Sequence, residues 1–211
     1  MRNSFLTVCA AVLAVTASLS AAVSVAQNVA PPPAEPPADE ALKTPGQPVS
    51  QETYSSEEIL SKGRDFFGAA TEGLAKAIEK VFKEQGQPNA YIVGEEGSGA
   101  FVAGLRYGKG TLNYKGGGAL PLYWQGPSVG WDFGGNASKV FTLVYKLRTT
   151  NEMLQRYPGV EGSLYVVGGV GVNYQRNGEI TLAPIRTGVG LRAGANIGYL
   201  HYTLKRSLMP F

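Results

Sequence analysis

Few side chains in the second half of the chain could carry acid–base, nucleophilic or metal chemistry. From residue 85 onward the sequence has one histidine, His201, one aspartate, Asp132, five glutamates and no cysteine. A metal site needs several such ligands converging, so we predict no metal centre. Ser128, His201 and Asp132 can be written as a hydrolase triad, but any chain of this length allows such a trio. We therefore expect a protein that is not an enzyme, with no catalytic residue and no cofactor.

Two further patterns suggest an acid–base pair and a dinucleotide-binding loop, but turns and strand bends explain them better. Glu95 and Glu96 could form an acid–base pair, but neighbours on a strand point to opposite faces and would not share a substrate. We interpret them as part of a solvated turn. Gly97-Ser98-Gly99 and Gly169-Val170-Gly171 lack the third glycine and the following helix of a dinucleotide-binding loop. Both are interpreted as glycines at bends in strands.

The residues that could hold a ligand are two tryptophans, one aspartate and two basic residues. If strand alternation holds, Trp131 faces one side of its strand and Asp132 the other. Asp132 is then either a hydrogen-bonded structural anchor or a ligand contact. Trp124 and Trp131 belong either to the core or to the mouth of an apolar cavity. Together with Arg106 and Lys109, these residues form the candidate ligand-binding set.

Short strands separated by glycine turns are the elements that must position these residues. Of the 28 glycines, 24 lie between Gly86 and Phe211, where apolar and polar residues alternate with a period of two. Turns are predicted at 107–110, at 116–118 and, as a tight hairpin, at 177–178. This pattern predicts a mainly β fold, a small soluble antiparallel β-barrel with one N-terminal flanking helix.

The first 52 residues predict export and a spacer. Residues 1–26 are typical of a signal peptide cleaved after Ala26, because an apolar stretch ends in small residues. A transmembrane anchor is disfavoured, since the stretch is rich in Ala and Ser and lacks a basic flank. Residues 27–52 contain repeated prolines and little apolar surface, which predicts a disordered spacer.

The rest of the chain predicts one helix and one barrel. Residues 53–86 show an apolar stripe at helical spacing, preceded by Ser55 and Glu58 as a capping box, so we predict a single amphipathic helix. Residues 87–211 form the predicted β-barrel domain. Cys9 would leave with the signal peptide, and the mature chain would then contain no disulfide.

The charge of the barrel part indicates which partners to expect. Residues 85 to 211 carry 12 basic and 6 acidic side chains. A net charge of +6 favours contact with anionic surfaces such as lipid head groups, although the same charge also serves solubility. The sequence has no Lys/Arg-rich run, so no nucleic-acid partner is expected. We expect a lipid or another envelope component as partner, with contact to the membrane that is peripheral at most.

The order of the glycine motifs carries a resemblance to known proteins. A Gly-Lys-Gly turn at 108–110, a Gly-Pro turn at 126–127, a Gly-Trp-Asp-Phe-Gly-Gly strand at 130–135 and a terminal glycine-rich strand at 184–196 follow one another. This order resembles the SYLF lipid-binding domain. The whole chain is similar to the alphaproteobacterial envelope-integrity protein family. The resemblance implies a periplasmic, small soluble β-barrel linked to envelope homeostasis, and it implies no catalytic residues.

The leading hypothesis is thus a non-enzymatic periplasmic protein that supports envelope integrity by binding a lipid or envelope component. The alternative is an integral outer-membrane β-barrel of structural or pore type, suggested by the terminal Phe211. Counting back by twos from Phe211, Lys205 and Ser207 interrupt a lipid-facing row, and Pro210 breaks the strand. An unrecognised hydrolase is the third hypothesis.

Overall fold

The structure is a computed structural model and describes residues 43–68, 71–99, 105–129, 138–187 and 196–207. Within these residues two helices precede eleven strands, with a short 3₁₀ helix at Thr150–Met153. The helices are α1 (Ser56–Phe67) and α2 (Glu72–Gln85). The strands are β1 (Ala90–Gly99), β2 (Leu105–Tyr114), β3 (Ala119–Val129), β4 (Ser138–Tyr145), β5 (Arg156–Pro158), β6 (Tyr165–Val167), β7 (Val170–Val172), β8 (Gln175–Asn177), β9 (Ile180–Thr187), β10 (Asn196–Ile197) and β11 (Tyr199–Thr203).

The single helix predicted over 53–86 is wrong, because the structure has two helices there. The predicted capping box is confirmed: the Glu58 backbone N–H donates to the Ser55 hydroxyl at 3.2 Å, and the Ser55 N–H donates to the Glu58 carboxylate at 2.8 Å. α1 ends where Gly68 adopts a positive φ of 80°. α2 begins after Thr71, whose hydroxyl accepts a backbone hydrogen bond from the first turn. Neither described helix combines the length and the apolar content that a membrane crossing needs.

The strands form one antiparallel sheet, which confirms the mainly β prediction. The order across the sheet is β5-β11-β3-β2-β1-β4-β9-β7-β6, and β10 and β8 pair with β3 and β9. Every ladder between neighbouring strands is antiparallel. The sheet curls so that β8 approaches β5. There Gly159 and Gln175 form an isolated antiparallel bridge, and Asn177 Nδ2 donates to the Arg156 carbonyl at 2.8 Å. This seam closes the described part of the barrel with few bonds.

Alternation along the strands separates two apolar cores. On β1, Ala90 and Ile92 face the inside of the barrel, while Tyr91 and Val93 face outward beneath the helices. The inner core consists of Val49, Ala90, Ile92, Leu112, Tyr114, Leu120, Leu122, Trp124, Val144, Leu147, Met153, Tyr157, Ile180, Leu182, Leu200 and Tyr202. The outer core consists of Tyr54, Ile59, Leu74, Ala77, Ile78, Val81, Tyr91, Phe141, Leu143, Tyr145, Val170, Val172, Tyr174, Ala183 and Ile185.

Two of the predicted turns are wrong, because their glycines lie inside strands. Residues 107–110 belong to β2, and Gly126 and Pro127 belong to β3. Gly94 and Gly110 face each other across the β1–β2 ladder. A Cβ on Gly110 would lie only 2.9 Å from the Gly94 Cα. These glycines therefore permit close approach of the two strands rather than a chain reversal.

The turn at 116–118 is confirmed, and the hairpin predicted at 177–178 is present with its turn shifted by one residue. Gly117 and Gly118 adopt φ values of 85° and 89° between β2 and β3. At the predicted hairpin, Asn177 pairs with Ile180, so the two turn residues are Gly178 and Glu179. Gly178 has a φ of 57°, a conformation that glycine adopts without a Cβ clash.

Ordered structure begins earlier than composition predicts. The last part of the predicted spacer, residues 43–52, is packed against the barrel where β1 begins. Val49 is 5% exposed and belongs to the inner core, and its N–H donates to the Arg148 carbonyl at 2.8 Å. The Asn89 amide donates to the Leu147 carbonyl at 2.6 Å and accepts from the Leu147 N–H at 3.2 Å beside it. The predicted signal peptide and residues 27–42 of the spacer lie outside the described residues.

Gly73 on α2 provides a test of helix docking. A Cβ at this position would lie 2.8 Å from the Gly168 carbonyl carbon and from the Val167 carbonyl oxygen. Helix propensity alone predicts that Gly73→Ala stabilises the protein by about 1 kcal/mol. We expect the opposite, a loss of about 1–3 kcal/mol in the free energy of unfolding, because these backbone atoms cannot rotate away. Urea denaturation measures the change.

Gly97→Ala is the matched control for this prediction. Gly97 has no heavy atom within 4 Å of an added Cβ. This substitution should change the unfolding free energy by less than about 0.5 kcal/mol. A stabilised Gly73→Ala variant would show that α2 does not rest on the backbone of the β6–β7 turn.

Candidate functional site

A buried ionic cluster occupies the inside of the barrel at the end opposite to residues 43–52. Its centre is Glu96 on β1, which is 5% exposed. Arg106 on β2 donates from Nη1 to Glu96 Oε1 at 2.7 Å. Arg186 on β9 donates from Nε to the same oxygen and from Nη2 to Oε2 at 3.4 Å. The Trp124 indole N–H donates to Oε2 at 3.3 Å, and Arg186 Nη1 donates to Asn173 Oδ1 at 2.6 Å.

Strand register explains why these side chains meet. Glu96 lies directly opposite Gly108 on β2 and Ser138 on β4, in the same row of inward-facing positions. Because Gly108 has no side chain, the Trp124 indole lies over its Cα, where any Cβ would overlap the ring. A Cβ on Gly94 would also come within 2.7 Å of the Trp124 ring. Two glycines thus create the space that brings the indole N–H to the carboxylate.

The electrostatics of the cluster favour an ionised Glu96. Burial alone would raise the pKa of the Glu96 carboxyl, but the charges of Arg186 and then Arg106 outweigh burial. Together with the hydrogen bonds from Arg186 and Trp124, they hold the pKa below its ordinary value of 4.5. A carboxylate held in this way is a poor proton acceptor at neutral pH. The arrangement therefore suits a structural link between four strands better than acid–base catalysis.

The structure brings together two of the five residues in the predicted ligand-binding set. Arg106 and Trp124 both contact Glu96. Lys109 is exposed on the outward side of β2, opposite Glu95, so it does not join them. Trp131 and Asp132 lie outside the described residues, and their roles stay predictions. The interpretation of Glu95 and Glu96 as a solvated turn is wrong, because both lie in β1 and Glu96 is buried.

Sequence reasoning missed the centre of the cluster, although the sequence contains an indication of it. Glu96 lies two residues after Gly94, and Arg106 lies two residues before Gly108. Residues two apart on a strand point to the same face. A charged residue two positions from a glycine on each strand of a hairpin therefore places both charges on one face, beside the space that the glycines leave. Arg186 and Asn173 come from distant parts of the chain, so local spacing could not reveal them.

The hydrolase hypothesis gains no support from the described residues. Ser128 lies within Gly126-Pro127-Ser128-Val129-Gly130, the spacing of a nucleophile turn. That motif requires a sharp turn from a strand into a helix, whereas residues 126–129 continue as part of β3. His201 on β11 pairs with Gln125 rather than with Ser128. Among the residues that the structure describes, no group of three or more His, Cys, Asp or Glu side chains could hold a metal ion.

Comparison with known proteins agrees with the barrel and its helices. A family model described as Envelope integrity protein A matches residues 52–211. This chain belongs to that family. A crystal structure of a beta-barrel-like, uncharacterised protein from Brucella abortus superposes with a TM-score of 0.70 at 52% sequence identity. The alignment covers 75% of this chain and 99% of that one. None of the curated proteins matches the chain.

Membership of the Envelope integrity protein A family links the chain to the integrity of the cell envelope. The matched residues include both helices, every described strand and the whole Glu96 cluster. The predicted family and its β-barrel fold are therefore confirmed. The family match begins at residue 52, and the predicted resemblance to the SYLF domain stays a prediction.

The Glu96 cluster makes a direct prediction for stability. Glu96→Gln keeps the shape of the side chain and removes its charge, which leaves two buried guanidinium groups without their shared carboxylate. We expect the free energy of unfolding to fall by about 3–5 kcal/mol. Glu95→Gln, one residue away on the outer face, should change it by less than about 0.5 kcal/mol. Equal effects of the two substitutions in urea denaturation would contradict the structural role of Glu96.

The same cluster predicts a pH dependence. Because the folded pKa of Glu96 lies below 4.5, its charge contributes stability that is fully present above about pH 4.5. That contribution is lost as the pH falls through the lower folded pKa. The difference in unfolding free energy between the unsubstituted protein and Glu96→Gln should therefore stay constant near neutral pH and narrow below about pH 4.5. If this difference in unfolding free energy widened as the pH fell, the folded-state pKa of Glu96 would be raised instead of lowered.

Proposed function

We propose that this protein supports envelope integrity without turnover, as a periplasmic binding protein for an anionic component of the envelope. The binding surface is the open face, defined as the outward side of β2, β3, β5 and β11. The observation that carries the proposal is the charge of these four described strands. Lys109 and Arg156 are the outward-facing cations of these strands, and none of the strand residues is Asp or Glu. Arg106, also on β2, faces inward and pairs with Glu96.

The open face is distinct from the half of the sheet that the helices cover. Outer-core residues come from the helices, from β1, β4, β7 and β9 and from adjoining segments, and none comes from β2, β3, β5 or β11. Lys109 and Arg156 are exposed on this outward side, whereas the outward-facing Gln125 and Asn113 are buried. Glu95 on β1 is the nearest acidic side chain across the ladder, where it lies opposite Lys109.

Basic and aromatic side chains alternate across the open face. Lys109 lies next to Tyr123 in the β2–β3 ladder, and both side chains point outward. In the next row, Tyr107, Gln125, His201 and Arg156 follow one another across four strands. Tyrosine rings with polar tips and cations with long stems are typical of surfaces that contact the interface of a membrane or a hydrated polymer.

Further cations lie at the border of the open face formed by β5 and β11. The Arg156 guanidinium lies over the Tyr199 ring at 5.2 Å from its centroid, a cation–π contact that orients it. Lys205 and Arg206 follow β11 and are exposed. Burial and then the charge of Arg156 lower the pKa of His201, so that His201 is neutral at pH 7. The positive charge of the face therefore comes from lysine and arginine.

Binding to vesicles tests this proposal. We expect the purified protein to co-sediment with vesicles of phosphatidylglycerol and phosphatidylethanolamine, and not with vesicles of zwitterionic lipid alone. The double substitution Lys109→Gln and Arg156→Gln should weaken binding roughly 30-fold, since each cation near an anionic surface contributes about 1 kcal/mol. Added salt should weaken the binding of the unsubstituted protein.

The matched control removes two charges from the covered half. Lys62 and Lys83 are exposed on α1 and α2, and their double substitution to Gln changes the net charge by the same amount. It should leave vesicle binding unchanged. Heparin serves as a soluble polyanion in a parallel assay: binding to heparin alone, lost in the Lys109/Arg156 variant, would assign the face to an anionic polymer instead of a lipid. The open face would not be the binding surface if both double variants lost vesicle binding equally, or if the unsubstituted protein bound neither vesicles nor heparin.

A further inference from the structure

A cleft of about 380 Å³ lies outside the open face and away from the Glu96 cluster. It is formed by the end of α2, the end of β4 and the β8–β9 hairpin. Glu84 and Gln85 line it from α2, Lys146 from the residue after β4, and Arg176 and Glu179 from the hairpin. Its volume is within the range of clefts that hold small ligands.

The charged groups of the cleft are balanced. Among its lining residues, Glu84 and Glu179 supply two carboxylates, while Lys146 and Arg176 supply two cations. Each carboxylate also forms an exposed ion pair beside the cleft, Glu84 with Lys80 at 3.2 Å and Glu179 with Arg148 at 3.5 Å. The C-terminal end of α2 adds the negative end of a helix dipole beside Glu84. A ligand with one sign of charge would meet repulsion from half of these groups. A ligand that carries both signs would find a partner for each of its charges.

Contacts within the cleft fix some of these groups and leave others available. Arg176 Nε donates to the Thr181 hydroxyl at 3.1 Å, which leaves its two terminal nitrogens directed elsewhere. Glu84 Oε2 accepts a hydrogen bond from the Tyr174 hydroxyl at 2.5 Å. This hydrogen bond is the main cause that lowers the pKa of Glu84, so Glu84 stays ionised. Glu84 is therefore a fixed carboxylate.

Tyr145 is the observation that points to a ligand. Tyr145 is one of the residues that line the cleft, and it is 3% exposed. Its buried hydroxyl makes no hydrogen bond within the part of the chain that the structure describes. A buried hydroxyl without a hydrogen-bond partner is unfavourable, and a ligand that accepts its hydrogen bond would remove this cost. Burial raises the pKa of Tyr145, which keeps the hydroxyl protonated and able to donate to a carbonyl or carboxylate oxygen.

Lys146 has an unusual backbone conformation beside Tyr145. Its φ of 60° is the one positive value among the described non-glycine residues. This left-handed conformation is unfavourable for lysine, because its Cβ comes close to the following carbonyl oxygen. A glycine or asparagine would adopt it more easily, so the turn itself does not require a lysine. The long cationic side chain at this position is better explained by what it faces.

We infer that this cleft binds a small zwitterion, and specifically a short peptide with a free amino and a free carboxyl end. The ammonium group pairs with Glu84 or Glu179, where it replaces the exposed Lys80 or Arg148 as ion-pair partner. The carboxylate pairs with Lys146 and Arg176. The peptide bond between them supplies a donor and an acceptor for the neutral groups of the cleft, Gln85, Thr181 and Tyr145. A phosphoethanolamine head group has the same charges but lacks this amide.

Titration calorimetry with alanyl-alanine tests the inference. The free dipeptide should bind, whereas its N-acetyl form and its methyl ester should each bind at least about tenfold more weakly, since each lacks one charge. Tyr145→Phe should weaken binding about 3- to 10-fold through the lost hydroxyl. Lys146→Asn, which retains a residue that tolerates positive φ, should weaken binding at least about tenfold.

Controls separate this site from a nonspecific charge effect and from the open face. Lys62→Gln removes one cation on α1, outside the cleft, and should bind alanyl-alanine like the unsubstituted protein. Equal binding of blocked and free dipeptides, unchanged binding in both cleft variants, or no heat at millimolar dipeptide would overturn the inference. Tighter binding of glycerophosphoethanolamine than of the dipeptide would overturn the peptide assignment. None of these outcomes depends on vesicle binding by the open face.

Discussion

One buried carboxylate, Glu96, holds the barrel together at the end where apolar side chains no longer fill it. It connects β1 to β2 and β9 through two arginines and to β3 through an indole N–H. Each of these partners would be unfavourable in the interior without the others. Glycines at positions 94 and 108 are a consequence of the same constraint, because the indole needs the volume that their side chains would occupy. The barrel thus depends on charge at one end and on apolar packing at the other.

Different strands of the sheet form the outer core and the open face. Helices cover β1, β4, β7 and β9 on the outside and build the second core there. The strands that the helices leave uncovered contain basic residues and no Asp or Glu. The outer core and the proposed binding surface therefore lie on different strands of one sheet. A protein built in this way can change its binding surface without repacking either core, since outward residues of β2, β3, β5 and β11 belong to neither.

Local patterns in the sequence predicted the family, the antiparallel barrel and the capping box at Ser55, because period-two alternation and capping are properties of neighbouring residues. The break between α1 and α2 escaped prediction, since the apolar stripe continues in phase across Gly68. Glycines 108 and 110 were interpreted as a turn, because sequence alone does not distinguish a glycine that reverses the chain from one that accommodates Trp124. The ion cluster was missed because Arg186 lies 90 residues from Glu96, and only the fold reveals that pairing.

The point at which the chain enters the barrel has a mechanical consequence. Residues 43–52 are bound to the end where β1 begins, through Val49 and Asn89. Glu96 lies seven residues further along the same strand, about 23 Å away at the rise of an extended chain. The two ends of the barrel therefore differ. One end packs apolar side chains and binds residues 43–52, and the other contains the Glu96 ion cluster. A force applied through residues 43–52 would therefore first meet the hydrogen bonds of Val49 and Asn89, at the end of the strand away from the Glu96 cluster.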